Sequence, residues 1–316
     1  MTTLHWVVGM GGMLGSHVHR AVVAAGERVW QPTEPVPWRD PGAAAVLVDH
    51  ASQFLAAGQG RPWVVYWCAG AGVTATAASQ LQAEVDLLAC LLAAIDPPAA
   101  QLGVVFLASS VGGLYAGSGV PPFDEGTAPR PLSPYGRSKQ AMEEVVGDWA
   151  ARAGGRSLVG RISNLYGPGQ DLDKPQGLIT QLIRSHLERR PLQVYVSLDT
   201  TRDYLFVRDA AQRVVAATHR AASLAPGSRM TKVVASQRAT TVGAVIGELQ
   251  RVLRRRPPII LGSSPLSGLQ ARDLRVRSTV WPDLDKASLT PLPVGMHETL
   301  LELQEKLQAG RLGPSA

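Results

Sequence analysis

The chain has 316 residues, 45% hydrophobic and 18% charged with 32 glycines, enough for one large domain or two smaller ones with substantial cores. Its net charge of +6 is dispersed apart from Arg254 to Arg256, and no aromatic-interleaved basic stripe appears, so nucleic acid is not expected as a partner and a phosphorylated small substrate accounts for the excess. Cys68 and Cys90 lack a metal-ligand neighbour pattern, no amino-terminal signal is evident, and no uncharged apolar run reaches membrane-spanning length; a cytoplasmic protein with no metal and no membrane partner is expected.

In chain order, LHWVV (Leu4 to Val8) reads as a short buried strand and is followed at once by GMGGMLGSHVHRAVVAAG, a turn and an amphipathic helix ending at Gly26. Further strand-like runs are GERVW (26–30), AAVLVDH (44–50), PWVVYWCAG (62–70), LGVVFLASS (102–110) and RSLVGRISN (156–164). Helix-like segments separate them, most clearly over 79–95 and from Tyr135 to Arg152. The alternation predicts an α/β fold with a doubly wound parallel sheet. From about Tyr166 the pattern changes to a Pro- and Gly-rich passage, then a helix near 177–190, short strands, and helices near 208–222 and 241–255. Leu312 to Ala316 has the composition of a loose tail.

Two local patterns carry chemistry. Gly9, Gly12 and Gly15 fall at three-residue intervals between a strand and a helix. There one glycine permits the tight turn, another lets a pyrophosphate approach the backbone, and the last allows close helix packing. The helix start, with Met13 and Leu14, turns free N–H groups and a positive dipole end towards the phosphates. Farther on, SPYGRSK (Ser133 to Lys139) offers Ser133 as N-cap and Pro134 at the first helical position, so a helix carries Tyr135 and Lys139 on one face in its first two turns. A phenol ordinarily titrates near ~10, and a fixed cation within roughly 4–6 Å favours its phenolate, so such a pair can move a proton at a sugar hydroxyl. Each pattern alone also occurs as a flexible turn or a solvated helix face; their order along an α/β chain points to a Rossmann-type domain over 1–168, with 203–222 returning to it, and a smaller mixed α/β substrate domain over 169–316.

The succession Gly9-x2-Gly12-x2-Gly15, SSVGGLYAG, YGRSK, RISNLYGPGQ and TRDYLFVRDAA resembles the extended short-chain dehydrogenase/reductase family, nearest to its nucleotide-sugar epimerases and dehydratases. The resemblance covers nearly the whole chain, and FDEGTAPRPLSPYGRSKQAMEE (123–144) is its strongest block. It implies a dinucleotide at the carboxyl ends of the strands, a nucleotide sugar across the cleft, and a homodimer built through the helices near 79–95 and 135–152. Tyr135 then takes the acid/base role and Lys139 the ribose-binding role. The third member, usually a Ser or Thr four residues before the Tyr of an SxxVYG-like segment, falls on Val111 when counted from Tyr115. Ser110 is expected to supply the hydroxyl instead, and Ser109 is placed among the cofactor contacts, with burial in the strand as the alternative.

For the adenosine ribose the family spacing reaches Thr33, with Glu34 next; Glu34 would hold the hydroxyls of NAD, whereas Thr33 with Arg28 or Arg39 would tolerate the extra phosphate of NADP. NAD is expected and NADP stays open. The resemblance further places Asp49, at the end of a third strand, beside the adenine, and Ala69 and Gly70 along the dinucleotide. On the substrate side it implies Asn164, Gln181 and Arg202, with Arg272 or Arg275 as a second diphosphate clamp. Ser236-Gln237-Arg238 stands where relatives carry a glycine-containing turn. Relatives that remove water from the sugar carry an Asp-Glu pair after the active-site Thr; Val111-Gly112-Gly113 has no carboxylate. The expected activity is therefore 4-epimerisation of a UDP- or dTDP-hexose through a transient 4-keto sugar. The alternatives are a 4-ketoreductase, a dehydratase fed a carboxylate from another loop, and a dinucleotide-binding relative without turnover.

Overall fold

The computed structural model describes residues 2–70, 72, 76–174, 176–262 and 271–310; the tail expected over Leu312 to Ala316 lies outside them. The first half runs β1 (Leu4–Val8), α1 (Met13–Ala24), β2 (Arg28–Trp30), α2 (Ala43–Gly58), β3 (Trp63–Trp67), α3 (Ala78–Ala93), α4 (Pro97–Ala100), β4 (Gly103–Ser110), α5 (Val111–Tyr115), α6 (Pro134–Ala153) and β5 (Arg156–Ile162). The second runs β6 (Asn164–Tyr166), α7 (Leu178–Glu188), β7 (Leu192–Val194), β8 (Thr201–Phe206), α8 (Val207–Ala222), β9 (Arg229–Val234), β10 (Ala239–Thr241), α9 (Val242–Leu253), β11 (Ile259–Leu261) and α10 (Leu292–Gln308).

The main sheet is parallel, in the order β2-β1-β3-β4-β5-β9. Its strands read as near-continuous apolar runs because helices cover both faces. Leu4, Trp6, Val8, Trp63, Val65 and Trp67 point into the layer of α2, α3 and α6, while Val7, Val64 and Tyr66 point into that of α1 and α8. Tyr166, Ile183, Phe206, Leu249 and Met296 gather α7, α9 and α10 into a separate cluster beside the small sheet β10-β8-β6.

One predicted strand is corrected. Residues 44–50 lie within α2, where Leu47, Ala51, Phe54 and Gly58 recur at helical spacing on the buried side and Val48 is exposed. The apolar run was too short for its period to be read. No helix among the described residues is long and apolar enough to cross a membrane.

Candidate active site

Because the main strands are parallel, every segment leaving a strand's carboxyl end emerges at one edge of the sheet. Gly9 to Gly15 follow β1, Thr33 and Glu34 follow β2, Ala69 and Gly70 follow β3, Ser110 closes β4, and Asn164 comes two residues after β5.

The glycine turn is shaped by contact. Gly9 holds φ at 87°, and a methyl group on it would fall 2.5 Å from the backbone N of Ala69. A methyl on Gly15 would overlap the carbonyl of Gly9. Gly12 caps α1 with no side-chain hydrogen bond, and no acidic residue occupies the first turn, so the N–H groups around Met13 and Leu14 face the cleft with neither a side-chain cap nor a competing charge. A cradle of this kind fits a pyrophosphate.

Beside it, Ser133 caps α6 by accepting the N–H of Gly136 at 3.1 Å, and Pro134 occupies the first turn. Lys139 is 7% exposed; its Nζ donates to the carbonyl of Ala108 at 3.1 Å and lies 5.9 Å from the centroid of the Tyr135 ring. The ring itself reaches the β3 and β4 ends: methyl groups on Gly72 and on Gly113 would lie 3.5 Å and 3.2 Å from its carbons. Withdrawal from water pushes the thiol of Cys68 up to about 12, against the pull of the Lys139 charge, so this residue is a protonated thiol and not a nucleophile at neutral pH.

Ser110 and Tyr135 flank Gly113. A methyl there would sit 3.3 Å from Ser110 Cβ as well as against the ring, and Ser110 Oγ accepts the Gly113 N–H at 3.1 Å as the cap of α5. Val111 is 1% exposed and packs with Leu114, Phe123, Val276 and their neighbours, away from the cleft. Ser109 is buried, its hydroxyl donating to Glu143 at 2.5 Å.

Two placements, those of Asp49 and Arg28, differ from expectation. Asp49, expected at a strand end, is instead exposed in the middle of α2 and accepts a hydrogen bond from Gln53, which removes the ground for setting it beside an adenine. Arg28 pairs with Leu4 at the amino end of the sheet, the wrong edge for a ribose phosphate. Arg272 and Arg275 are exposed and already ion-paired, with Asp199 and Asp273.

The remaining substrate-side residues are distinct in character. Asn164 is exposed at the start of β6, and Gln181 on α7 donates to the carbonyl of Lys174. Arg202 on β8 is 6% exposed, donates Nη1 to the carbonyls of Thr201 and Arg272, and forms no ion pair among the described residues. Burial holds its pKa below the usual guanidinium value, with Tyr204 and Asp273 pulling the other way. A buried guanidinium so placed is matched to an incoming anion. The turn at Ser236 to Arg238 takes a left-handed residue at Gln237 and is held by Asp203, which accepts from Ser236 N, Ser236 Oγ and Arg238 N.

Sequence reasoning missed the supports. Glu143 follows Lys139 by the same four residues that separate Lys139 from Tyr135, and its carboxylate receives Ser109 and Arg161. That repeated step was the available signal. Lys174, whose Nζ reaches the carbonyl of Gly70 at 3.5 Å, carried none.

Among curated proteins the chain is similar to a dTDP-4-dehydro-6-deoxyglucose reductase of Escherichia coli, 35% identical over 108 residues that make up 34% of each chain. It is also similar to a dTDP-glucose 4,6-dehydratase of Salmonella typhimurium, 39% identical over 93 residues, 29% of this chain and 25% of the relative. These matches thus span about a third and a quarter of the relatives' own lengths. Among solved structures, a UDP-glucose 4-epimerase from Thermotoga maritima superposes with a TM-score of 0.78 over 96% of this chain and 100% of that one, at 19% identity, which shows a shared fold. Residues 6–231 match the model of a known family, a stretch that holds both the glycine turn and the Tyr135 helix; the chain belongs to the NAD dependent epimerase/dehydratase family, enzymes that use NAD.

Proposed function

We propose that this protein is a nucleotide-sugar 4-epimerase acting on a UDP- or dTDP-hexose. The observation that carries the reading is the meeting of Tyr135, Lys139 and Ser110 at the sheet edge that also presents the Gly9 to Gly15 cradle. Bound NAD supplies a two-electron acceptor and donor, so that oxidation at the sugar C4 is reversed within one cycle and no net redox follows. Gly9, Gly12, Met13, Leu14 and Gly15 hold its pyrophosphate, Ala69 and Gly70 line it, and Thr33 and Glu34 receive the adenosine ribose. Tyr135 takes the proton of the C4 hydroxyl and returns it after the ketone has turned over. Lys139 binds the nicotinamide ribose and sets a positive charge beside that proton transfer. Ser110 donates to the same sugar oxygen. Arg202 meets the diphosphate, with Asn164 and Gln181 on the sugar nucleotide.

Dehydration is disfavoured by the carboxylates near α5. Glu143 is committed to Arg161 and Ser109, and Glu125 accepts from Val233, Ser278 and Thr279. A 4-ketoreductase is the second reading, favoured by the similarity to the Escherichia coli reductase. As quaternary state we infer a homodimer through α3 and α6.

Purified protein given NAD and a panel of UDP- and dTDP-hexoses tests the reading. Interconversion of C4 epimers with no net change at the reduced-nicotinamide absorbance supports it, and Tyr135→Phe should abolish turnover while sparing NAD binding. Stoichiometric consumption of NADH or NADPH would establish the reductase, release of water the dehydratase, and binding without conversion a module with no turnover.

A further inference from the structure

At the opposite edge of the main sheet, far from the glycine turn, His5, Glu27 and His219 converge. His5 is the second residue of β1, Glu27 immediately precedes β2, and His219 lies in the last turn of α8. His5 Nε2 is 3.7 Å from one oxygen of Glu27, His219 Nε2 is 3.9 Å from the other, and the three ligand atoms lie within 4.8 Å of one another. Among the described residues this is the one group of three His, Cys, Asp or Glu so arranged.

The proton bookkeeping fixes which nitrogen of His5 faces the group. Thr218 Oγ1 donates its one proton to the carbonyl of Val215 at 2.7 Å. Tyr66 OH, 3.0 Å from Thr218 Oγ1, therefore gives its own proton to Thr218 and has none left for His5. His5 Nδ1, 3.2 Å from Tyr66 OH, must then carry the hydrogen, which leaves the Nε2 lone pair directed at Glu27 and His219. That Nε2 has no hydrogen-bond partner, although the side chain is wholly buried. An unsatisfied buried acceptor of this kind carries a desolvation cost that no partner among the described residues repays.

We propose that His5 Nε2, Glu27 and His219 Nε2 bind one divalent transition-metal ion of the zinc class, which pins β1, the entry to β2 and the carboxyl end of α8 together. Two imidazoles and a carboxylate make a three-ligand set with a fourth position left for water. Tyr66 is the outer partner that orients the buried histidine, the arrangement that metal-binding histidines favour. Tetrahedral ligands about 2.0–2.1 Å from zinc stand roughly 3.4 Å apart. The observed spacings close to this by small movements of Glu27 and His219, whose side chains are 25% and 44% exposed, while His5 stays fixed by Tyr66.

The test uses the full chain, stripped with a chelator and titrated calorimetrically with zinc chloride alone. One ion per chain is expected, with a rise in melting temperature, and His219→Ala and Glu27→Gln should each weaken binding by about 10-fold or more. Both substitutions replace partly exposed side chains, and circular dichroism checks that they fold. Cobalt(II) added to the wild-type protein should give the visible absorption of a tetrahedral N/O site, a readout that needs no variant. Absence of binding at about 10 µM zinc, or equal affinity in the wild type and both variants, overturns the proposal. An octahedral cobalt spectrum overturns the three-ligand geometry.

Discussion

Arg161 grips the carboxylate of Glu143 with two nitrogens, Nε at 3.1 Å and Nη2 at 2.7 Å, and both side chains are about nine-tenths buried. The same guanidinium donates Nη1 to Tyr115 OH at 2.8 Å, Tyr115 donates to the carbonyl of Asp124 at 2.6 Å, and Ser109 donates to Glu143. One buried network thus joins the ends of β4 and β5 to α6, directly under the strand end that presents Ser110. Removing a single partner leaves a charge buried without its counter-ion, so Glu143→Gln should destabilise the protein by about 3 kcal/mol. Glu143→Leu combined with Arg161→Met should cost less than the sum of the two single changes, because neither charge then stays behind. Urea unfolding of the wild type, Glu143→Gln, the two single changes Glu143→Leu and Arg161→Met, and the double variant measures both quantities, and additive losses would show that the pair is not coupled.

A second expectation concerns Gly113, the residue between Ser110 and Tyr135. An alanine methyl there meets Tyr135 Cε1 at 3.2 Å, Ser110 Cβ at 3.3 Å and Gly136 Cα at 3.4 Å, distances tight enough to require a shift of a few tenths of an ångström. On the proposed mechanism Ser110 and Tyr135 act on one sugar oxygen, and displacing them by that much lowers kcat, so Gly113→Ala should lose about 10- to 100-fold in kcat with NAD affinity unchanged. Steady-state kinetics and cofactor titration check it. Unchanged kcat would mean that Ser110 and Tyr135 do not act on one substrate atom.

Much of this arrangement was legible in the sequence, for reasons that are local. The Ser133 cap, Pro134 and the four-residue step to Lys139 all lie within one helix turn or two, and the glycines of the first turn follow a buried strand directly. What escaped depended on longer connections. The run 44–50 has no period a reader can fix in isolation, and only its continuation through Ala51, Phe54 and Gly58 shows a helix. That Val111 turns into a cluster with Leu274 and Val276 depends on a segment more than 150 residues farther along. The His5, Glu27 and His219 group is assembled from three elements and leaves no spacing in the sequence at all.

Glu125 supplies a pH dependence. Burial acts to raise its pKa, but hydrogen bonds from Ser278, Thr279 and Val233 outweigh that and hold it below the ordinary value of 4.5. A carboxylate depressed in the folded state binds fewer protons there than in the unfolded chain. Its contribution to stability is therefore fully present above 4.5 and is lost as pH falls through the folded value. Urea unfolding from about pH 6 down to about pH 3 should show stability falling in that acid window, with a shallower fall for Glu125→Gln. Parallel profiles would remove Glu125 as a source of the acid limb.

Arg202 separates a binding role from a structural one. Among the described residues its buried guanidinium hydrogen-bonds only to carbonyls and has no ion pair, so in the free protein it bears a desolvation cost that the nearby Asp273 offsets only in part. Replacing it by methionine removes the charge and keeps much of the volume. If the charge exists to meet a diphosphate, Arg202→Met should leave the melting temperature of the free protein unchanged or raised, while KM for the nucleotide sugar rises about 10- to 100-fold, as a charge-assisted hydrogen bond of ~1.5–3 kcal/mol is lost. A merely structural arginine gives the reverse, a lower melting temperature with KM unmoved. Thermal melts and steady-state kinetics on the same preparation distinguish the two, since the carbonyls of Thr201 and Arg272 remain in place in either case.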